Sequence, residues 1–119
     1  PIVSAVSTVS AYEEKPVAAL IIRKEAKGHG TKAYIEGPTL DPGSPVVVLE
    51  DVVTTGKSAM LAVERLRAAG YEVDTVISVV DREQGGREFY EGQGLAFKAL
   101  FTIKDIQAIY TTIAPRTSA

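Results

Sequence analysis

Three polar clusters carry the chemistry of this sequence, and each follows an apolar run. The densest reads Val46-Val47-Val48-Leu49-Glu50-Asp51-Val52-Val53-Thr54-Thr55-Gly56-Lys57-Ser58. An acidic pair leads into a tight polar turn, and the turn leads into a helical pattern. Backbone N–H groups at a helix N-terminus, flanked by the hydroxyls of Thr54, Thr55 and Ser58, form an anion pocket suited to a phosphate. A carboxylate pair cannot favour that same phosphate. Glu50 and Asp51 instead suit neutral hydroxyls, such as those of a ribose, or the vicinity of a metal. Phosphate at one end and diol at the other describe a sugar phosphate. The plainer alternative is a solvated strand end. Two adjacent acids between a fully apolar strand and Thr-Thr-Gly argue against it.

The second cluster is Arg23-Lys24-Glu25-Ala26-Lys27-Gly28-His29-Gly30-Thr31-Lys32, strongly basic around a single acid. Gly28 and Gly30 leave its backbone loose. Alone, such a loop reads as a solvated face, and a lone histidine as an exposed one. The third is Asp81-Arg82-Glu83-Gln84-Gly85-Gly86. Arg82 is either a planar fork for an anionic substrate group or an ion-pair partner of Asp81 or Glu83. A nucleotide-binding P-loop is excluded. Gly56-Lys57-Ser58 resembles its end, but the motif needs a glycine five positions before Gly56, and Asp51 stands there.

The elements that must position these clusters follow from periodicity. Residues 2–14 predict a helix with Ile2, Ala5, Val6 and Val9 on a buried face, with a strand as the alternative that their β-branched content allows. Residues 17–22 and 46–49 are continuous apolar runs, each predicting a strand buried on both faces. Residues 34–36 predict a short return strand. Residues 57–69 predict a helix with Met60, Val63 and Leu66 inward and Gly70 as its stop. Strands at 73–80 and 95–101 and helices at 87–93 and 103–113 complete the pattern. Met60, Phe97, Phe101 and Tyr110 read as core; Tyr34 and Tyr90 have no assignable role. Strands alternating with helices predict an α/β domain with a mostly parallel sheet. Ligands of such sheets bind beyond the carboxyl ends of the strands, so the three clusters are expected at one sheet edge, forming one site.

Composition sets the bounds. The 119 residues, 45% of them hydrophobic, suit one domain. There is no cysteine, which removes disulfides and thiolate metal sites. Thirteen basic side chains against 15 acidic ones leave a formal net charge of −2. That balance gives no general attraction to nucleic acid or to an anionic membrane. No apolar run approaches the roughly 18 residues that cross a bilayer. The N-terminus has no signal-like basic and apolar regions, so a reducing, cytoplasmic setting is the expectation.

The run Glu50 to Ser58 resembles the phosphoribosyl pyrophosphate (PRPP) motif of type I phosphoribosyltransferases. Residues 23–32 resemble the mobile catalytic loop of the orotate phosphoribosyltransferases, and residues 81–86 resemble the segment after their next strand. The three occur in that family's order and span nearly the whole chain. The resemblance implies a phosphoribosyltransferase-like core that joins orotate to PRPP, giving orotidine 5′-monophosphate and pyrophosphate in pyrimidine biosynthesis. It implies that Glu50 and Asp51 hold the ribose hydroxyls. Val52, Val53, Thr54, Thr55, Gly56, Lys57 and Ser58 then form the PRPP turn, with Lys57 either on the phosphate or in solvent. Arg23, Lys24, Lys27 and His29 are implied on the pyrophosphate, and Thr54 and Arg82 on orotate. Lys27, His29 and Asp51 are the implied catalytic groups. Mg²⁺ is implied as carried mainly by PRPP and pyrophosphate, with no metal site built by the chain itself. A homodimer is implied, because loop residues in the family often reach into the partner's site. A non-catalytic binding module of the same fold, or a transferase for another base, are the alternatives.

The chain also departs from that pattern. Pro1-Ile2-Val3 matches the end of a segment that, in the family, forms a pyrophosphate-binding loop. The loop and a substrate-covering hood lie upstream in relatives. The expectation is a single, N-terminally truncated domain over residues 1–119.

Overall fold

The computed structural model describes residues 2–117. Its elements run α1 (Ile2–Tyr12), β1 (Ile21–Ile22), β2 (Ile35–Glu36), β3 (Pro45–Val53), α2 (Lys57–Ala68), β4 (Glu72–Asp81), α3 (Gly86–Gly92), β5 (Ala96–Thr102) and α4 (Ile103–Thr117). The expected α/β core is present. Strands β3, β4 and β5 form a parallel sheet in that order. Register runs from Pro45 opposite Glu72 to Val53 opposite Asp81, and from Thr75 opposite Ala96 to Asp81 opposite Thr102. Helices α2 and α3 supply the crossovers that parallel neighbours require.

One apolar cluster holds this unit together. Met60, Val63 and Leu66 of α2 face Val48, Val73 and Val76 of the sheet, and Tyr90 of α3 joins Leu95 and Phe97. The three α2 residues recur every third position, so one stripe of the helix is buried as predicted. Gly70, with φ 94°, ends that helix in the left-handed conformation that glycine accepts without strain. β3 is longer than its apolar run, extending through Glu50 and Asp51 to Val53. The acidic pair therefore sits on hydrogen-bonded strand rather than after it.

The N-terminal third departs from the sequence expectation. Residues 17–22 do not form a strand buried on both faces. Only Ile21 and Ile22 pair, and they pair antiparallel with β2, outside the parallel sheet. Val17 is exposed. A strand buried on both faces needs layers packed on both sides, and this segment lies outside the parallel sheet, with β2 as its pairing partner. A cavity of about 520 Å³ separates it from β3, lined by Val17, Leu20 and Ile22 on one side and Val46, Val48 and Glu50 on the other. Helix α1 forms, yet buries no residue. Val6 and Val9 of its expected inner face are exposed because α1 borders that cavity rather than a packed sheet. Two side chains expected in the core are outside it: Phe101 is 49% exposed and Tyr110 69%. Both lie at the sheet's outer margin, on β5 and on α4, which packs against β5.

Candidate functional site

At the carboxyl end of β3, the turn 54–56 delivers the chain into α2. Gly56 caps the helix with φ 93°, and no side chain caps its N-terminus. The first-turn N–H groups of an α-helix have no partner within the helix. Here they face a cavity of about 270 Å³ lined by Glu50, Val52 through Ala59, and Tyr90. Lys57 and Ser58 stand at its rim, both exposed. Val53 turns its side chain into the core, 3% exposed, so it offers a ligand only its backbone.

Tyr90 is a residue of this site that sequence reading missed. Its side chain is fully buried, and its hydroxyl donates to the Gly56 carbonyl at 2.9 Å. The Met60 N–H reaches the same oxygen at 3.1 Å. The hydroxyl thus ties α3 to the turn. Gly86 makes the second tie: a Cβ there would stand 2.5 Å from Val53 Cγ1 and 2.9 Å from the Thr54 oxygen. Only glycine lets α3 approach so closely. No sequence signal marks the role of Tyr90, because its partner lies 34 residues away.

The acidic pair is electrostatically loaded. Burial, and then the charge of Asp51, raises the Glu50 carboxyl above its ordinary value of 4.5. Burial, and then the charge of Glu50, pushes the Tyr90 hydroxyl up to about 12, so Tyr90 remains an O–H donor at neutral pH. Asp51 is exposed and its Oδ1 accepts from the Val52 N–H at 2.7 Å. The strand beneath is braced by Ser78, whose buried hydroxyl donates to the Val80 carbonyl at 2.7 Å, with the Asp51 carbonyl 3.3 Å away. A half-buried carboxylate beside a second one is stabilised by hydrogen-bond donors, and hydroxyls can supply these.

The Arg82 backbone lies beside this site, although its side chain does not line the cavity. Its N–H donates to the Val53 carbonyl at 2.9 Å, next to the turn. Both acids that offered an ion-pair role have other partners. Asp81 Oδ1 accepts from the Glu83 N–H at 2.8 Å, and Glu83 lies 3.7 Å from Lys104 Nζ. Glu83 has φ 56°, a conformation uncommon for a residue with a side chain. The Asp81 carboxylate fixes that turn and leaves the Arg82 side chain exposed.

The basic loop does not come to this site, which corrects the expectation of three clusters at one sheet edge. No residue of 23–32 lines the cavity beside the turn. The loop stem is held at the other end of α2: Arg65 Nη1 donates to the Arg23 carbonyl at 2.6 Å, and Lys32 Nζ stands 5.8 Å from the centre of the Tyr71 ring. Arg65 is roughly 12 Å along the helix axis from the turn, at about 1.5 Å per residue. The cause is the strand pairing. Because β1 pairs with β2 and not with β3, the loop after β1 follows neither β3 nor its carboxyl end. Lys24, Lys27 and His29 are exposed. Among the described residues no group of three or more histidine or acidic side chains converges on a metal position.

Comparison with known proteins bears on the fold. The orotate phosphoribosyltransferase of Synechocystis sp. (strain ATCC 27184 / PCC 6803 / Kazusa) is 86% identical over 110 residues, 92% of this chain and 56% of that protein. Over nearly its whole length the chain is similar to curated orotate phosphoribosyltransferases. It spans just over half the length of the curated relatives it matches. Among solved structures, Leishmania donovani UMP synthase superposes with a TM-score of 0.74 at 32% identity, covering 89% of this chain and 22% of that one. Mycobacterium tuberculosis H37Rv orotate phosphoribosyltransferase, in complex with PRPP, gives a TM-score of 0.67 at 38% identity, over 76% of this chain and 50% of that one. These are type I phosphoribosyltransferase folds, as the motif order implies. No family model matches the chain.

Proposed function

We propose that this chain supplies the PRPP-binding half of an orotate phosphoribosyltransferase. The observation that carries the reading is the uncapped α2 N-terminus beside the half-buried Glu50 and the exposed Asp51, with the Arg82 backbone tied to the same strand end. The free N–H groups of α2, with Thr54, Thr55 and Ser58, take the 5′-phosphate. Glu50 and Asp51 take the ribose hydroxyls. The exposed Lys57 side chain adds positive charge at the cavity rim. Arg82 and Thr54 take orotate, the guanidinium pairing with its carboxylate.

The reaction breaks the C1–O bond of PRPP. Positive charge grows on the ribose ring and negative charge on the departing pyrophosphate. Asp51 and Glu50 stand on the ribose side, where developing positive charge favours carboxylates. Arg23, Lys24, Lys27 and His29 serve the pyrophosphate side, and Lys27 or His29 donates the proton it takes on leaving. When bound with PRPP, Mg²⁺ would supply positive charge to the diphosphate. Two carboxylates beside the turn are too few to hold it alone, so PRPP brings the ion. The loop is anchored away from its own turn, which favours a homodimer in which each copy lends its loop to the other's site. A cytoplasmic setting fits this chemistry.

Calorimetry with PRPP and an orotate turnover assay test the reading together. PRPP binding and orotidine 5′-monophosphate formation are expected. Asp51→Asn should weaken PRPP binding by roughly tenfold, the loss of a charged hydrogen-bond acceptor. Binding without turnover favours the binding-module alternative, and affinity untouched by Asp51→Asn removes the ribose assignment.

A further inference from the structure

One side chain outside the turn touches both stems of the basic loop. Arg65 leaves the C-terminal half of α2. Its Nη1 donates to the Arg23 carbonyl at 2.6 Å, and its guanidinium carbon lies 3.7 Å from the centre of the Tyr34 ring. Arg23 and Tyr34 are also joined to each other, through the Arg23 N–H and the Tyr34 carbonyl at 2.7 Å. Between these two residues the segment 24–33 leaves the fold and returns to it. On the solvent side, Glu36 holds the Arg23 side chain at 3.4 Å. A guanidinium is suited to this position because its edge donates while its face stacks. An ammonium cannot do both.

The geometry points to Arg65 as a positioning residue for the basic loop. It clamps the two stems to the helix whose N-terminus opens on the phosphate cavity. The segment 24–33 has two internal ties, Lys27 N–H to the Ala33 carbonyl at 2.8 Å and Ala33 N–H to the Gly30 carbonyl at 3.2 Å. The glycines at 28 and 30 have open space around them. The loop therefore moves as a flap on a fixed base, and α2 sets where that base stands relative to the phosphate turn. Arg65 touches no substrate in this assignment. The inference rests on the reading of residues 24–29 as the diphosphate contacts.

Amide hydrogen exchange and steady-state kinetics on Arg65→Lys and Tyr34→Leu test it. The amides of Arg23, Lys27 and Ala33 are expected to exchange at least about tenfold faster in either variant. Those of β4 and the first turns of α2 should keep their rates. Turnover should fall roughly tenfold in kcat with KM for PRPP changed by less than about threefold, since the turn is untouched. Unchanged loop exchange in Arg65→Lys overturns the clamp. Faster exchange spreading through α2 and β4 overturns it too, by showing a general structural role. Faster loop exchange with full kcat overturns the positioning role. Absence of turnover in the unsubstituted protein strikes the functional reading instead, and the exchange rates still decide the clamp.

Discussion

The turn 54–58 and the loop 24–33 are both short polar connections that follow a strand and use glycines of positive φ. Their surroundings are opposite. At Gly56 a Cβ would meet Phe89 and Tyr90 ring atoms at 3.0 Å, whereas at Gly28 and Gly30 it would meet nothing within 4 Å. The carbonyl of Gly56 accepts from Tyr90 and Met60, and Gly86 presses α3 onto Thr54. The loop is held at its stem alone. A rigid anion pocket gains because its donors stand in place before the ligand arrives. A flap that admits substrate and then excludes water gains from the reverse. One chain thus divides binding from closure between a braced turn and a tethered loop.

The largest break in that comparison comes at Gly86. Gly86→Ala forces a Cβ against Val53 Cγ1 and the Thr54 carbonyl. Overpacking of this kind costs about 2–3 kcal/mol. Chemical denaturation should show that loss, and PRPP affinity should fall because the displaced atom belongs to the turn. Unaltered stability would mean that α3 does not brace the turn. Next comes Tyr90→Phe, which keeps the ring against Phe97, 5.3 Å away between centroids, and deletes the hydroxyl. A buried carbonyl loses one of two donors, at a cost of about 1 kcal/mol. A midpoint matching the parent's in the same denaturation series would remove the hydroxyl from the bracing argument.

What the sequence shows of these two regions follows the same division. The turn was legible because its chemistry is contiguous: acids, threonines, glycine and helix start lie within nine residues of chain, Glu50 to Ser58. The parallel core was legible because Val46–Leu49 and Val73–Val80 are β-branched runs on either side of a helix with a three-residue apolar repeat. The placement of the loop was not. Val17–Ile22 is as apolar as β3, and nothing in that run says which strand lies beside it. Tyr90 and Tyr34 had no assignable role because their partners, Gly56 and Arg65, are remote in sequence. Phe101 and Tyr110 were misread for a related reason. An aromatic side chain predicts burial only if an element covers it, and coverage is a property of the neighbours.

A smaller effect sharpens the contrast from the loop's side. Gly28→Ala places a side chain at φ 89° but into open space. Left-handed backbone costs an ordinary residue about 1 kcal/mol. A loop without packed neighbours can relax away most of that strain, so the denaturation midpoint should barely move, in contrast to Gly86→Ala. Trypsin cleavage after Lys27 and Lys32 reports whether the loop itself has shifted. A midpoint loss as large as that of Gly86→Ala would mean that the loop is packed in solution.

The smallest expected effect concerns charge stored in the braced region. Burial, and secondarily Asp51, raises the Glu50 carboxyl above 4.5. A carboxyl raised in this way holds its proton more tightly folded than unfolded. Its contribution to stability is therefore complete below pH 4.5 and is lost as pH rises through the raised folded value. At neutral pH the ionised Glu50 is a cost to the fold. Glu50→Gln should remove it, making the variant more stable than the parent at pH 7 and flattening the stability profile in the acid range. The same substitution should weaken PRPP binding, since an amide accepts ribose hydroxyls less strongly than a carboxylate. Stability and affinity moving in opposite directions would mark Glu50 as a residue placed for its ligand rather than for the fold. A Glu50→Gln protein less stable than the parent at pH 7 would mean instead that the carboxylate helps hold the end of β3 together.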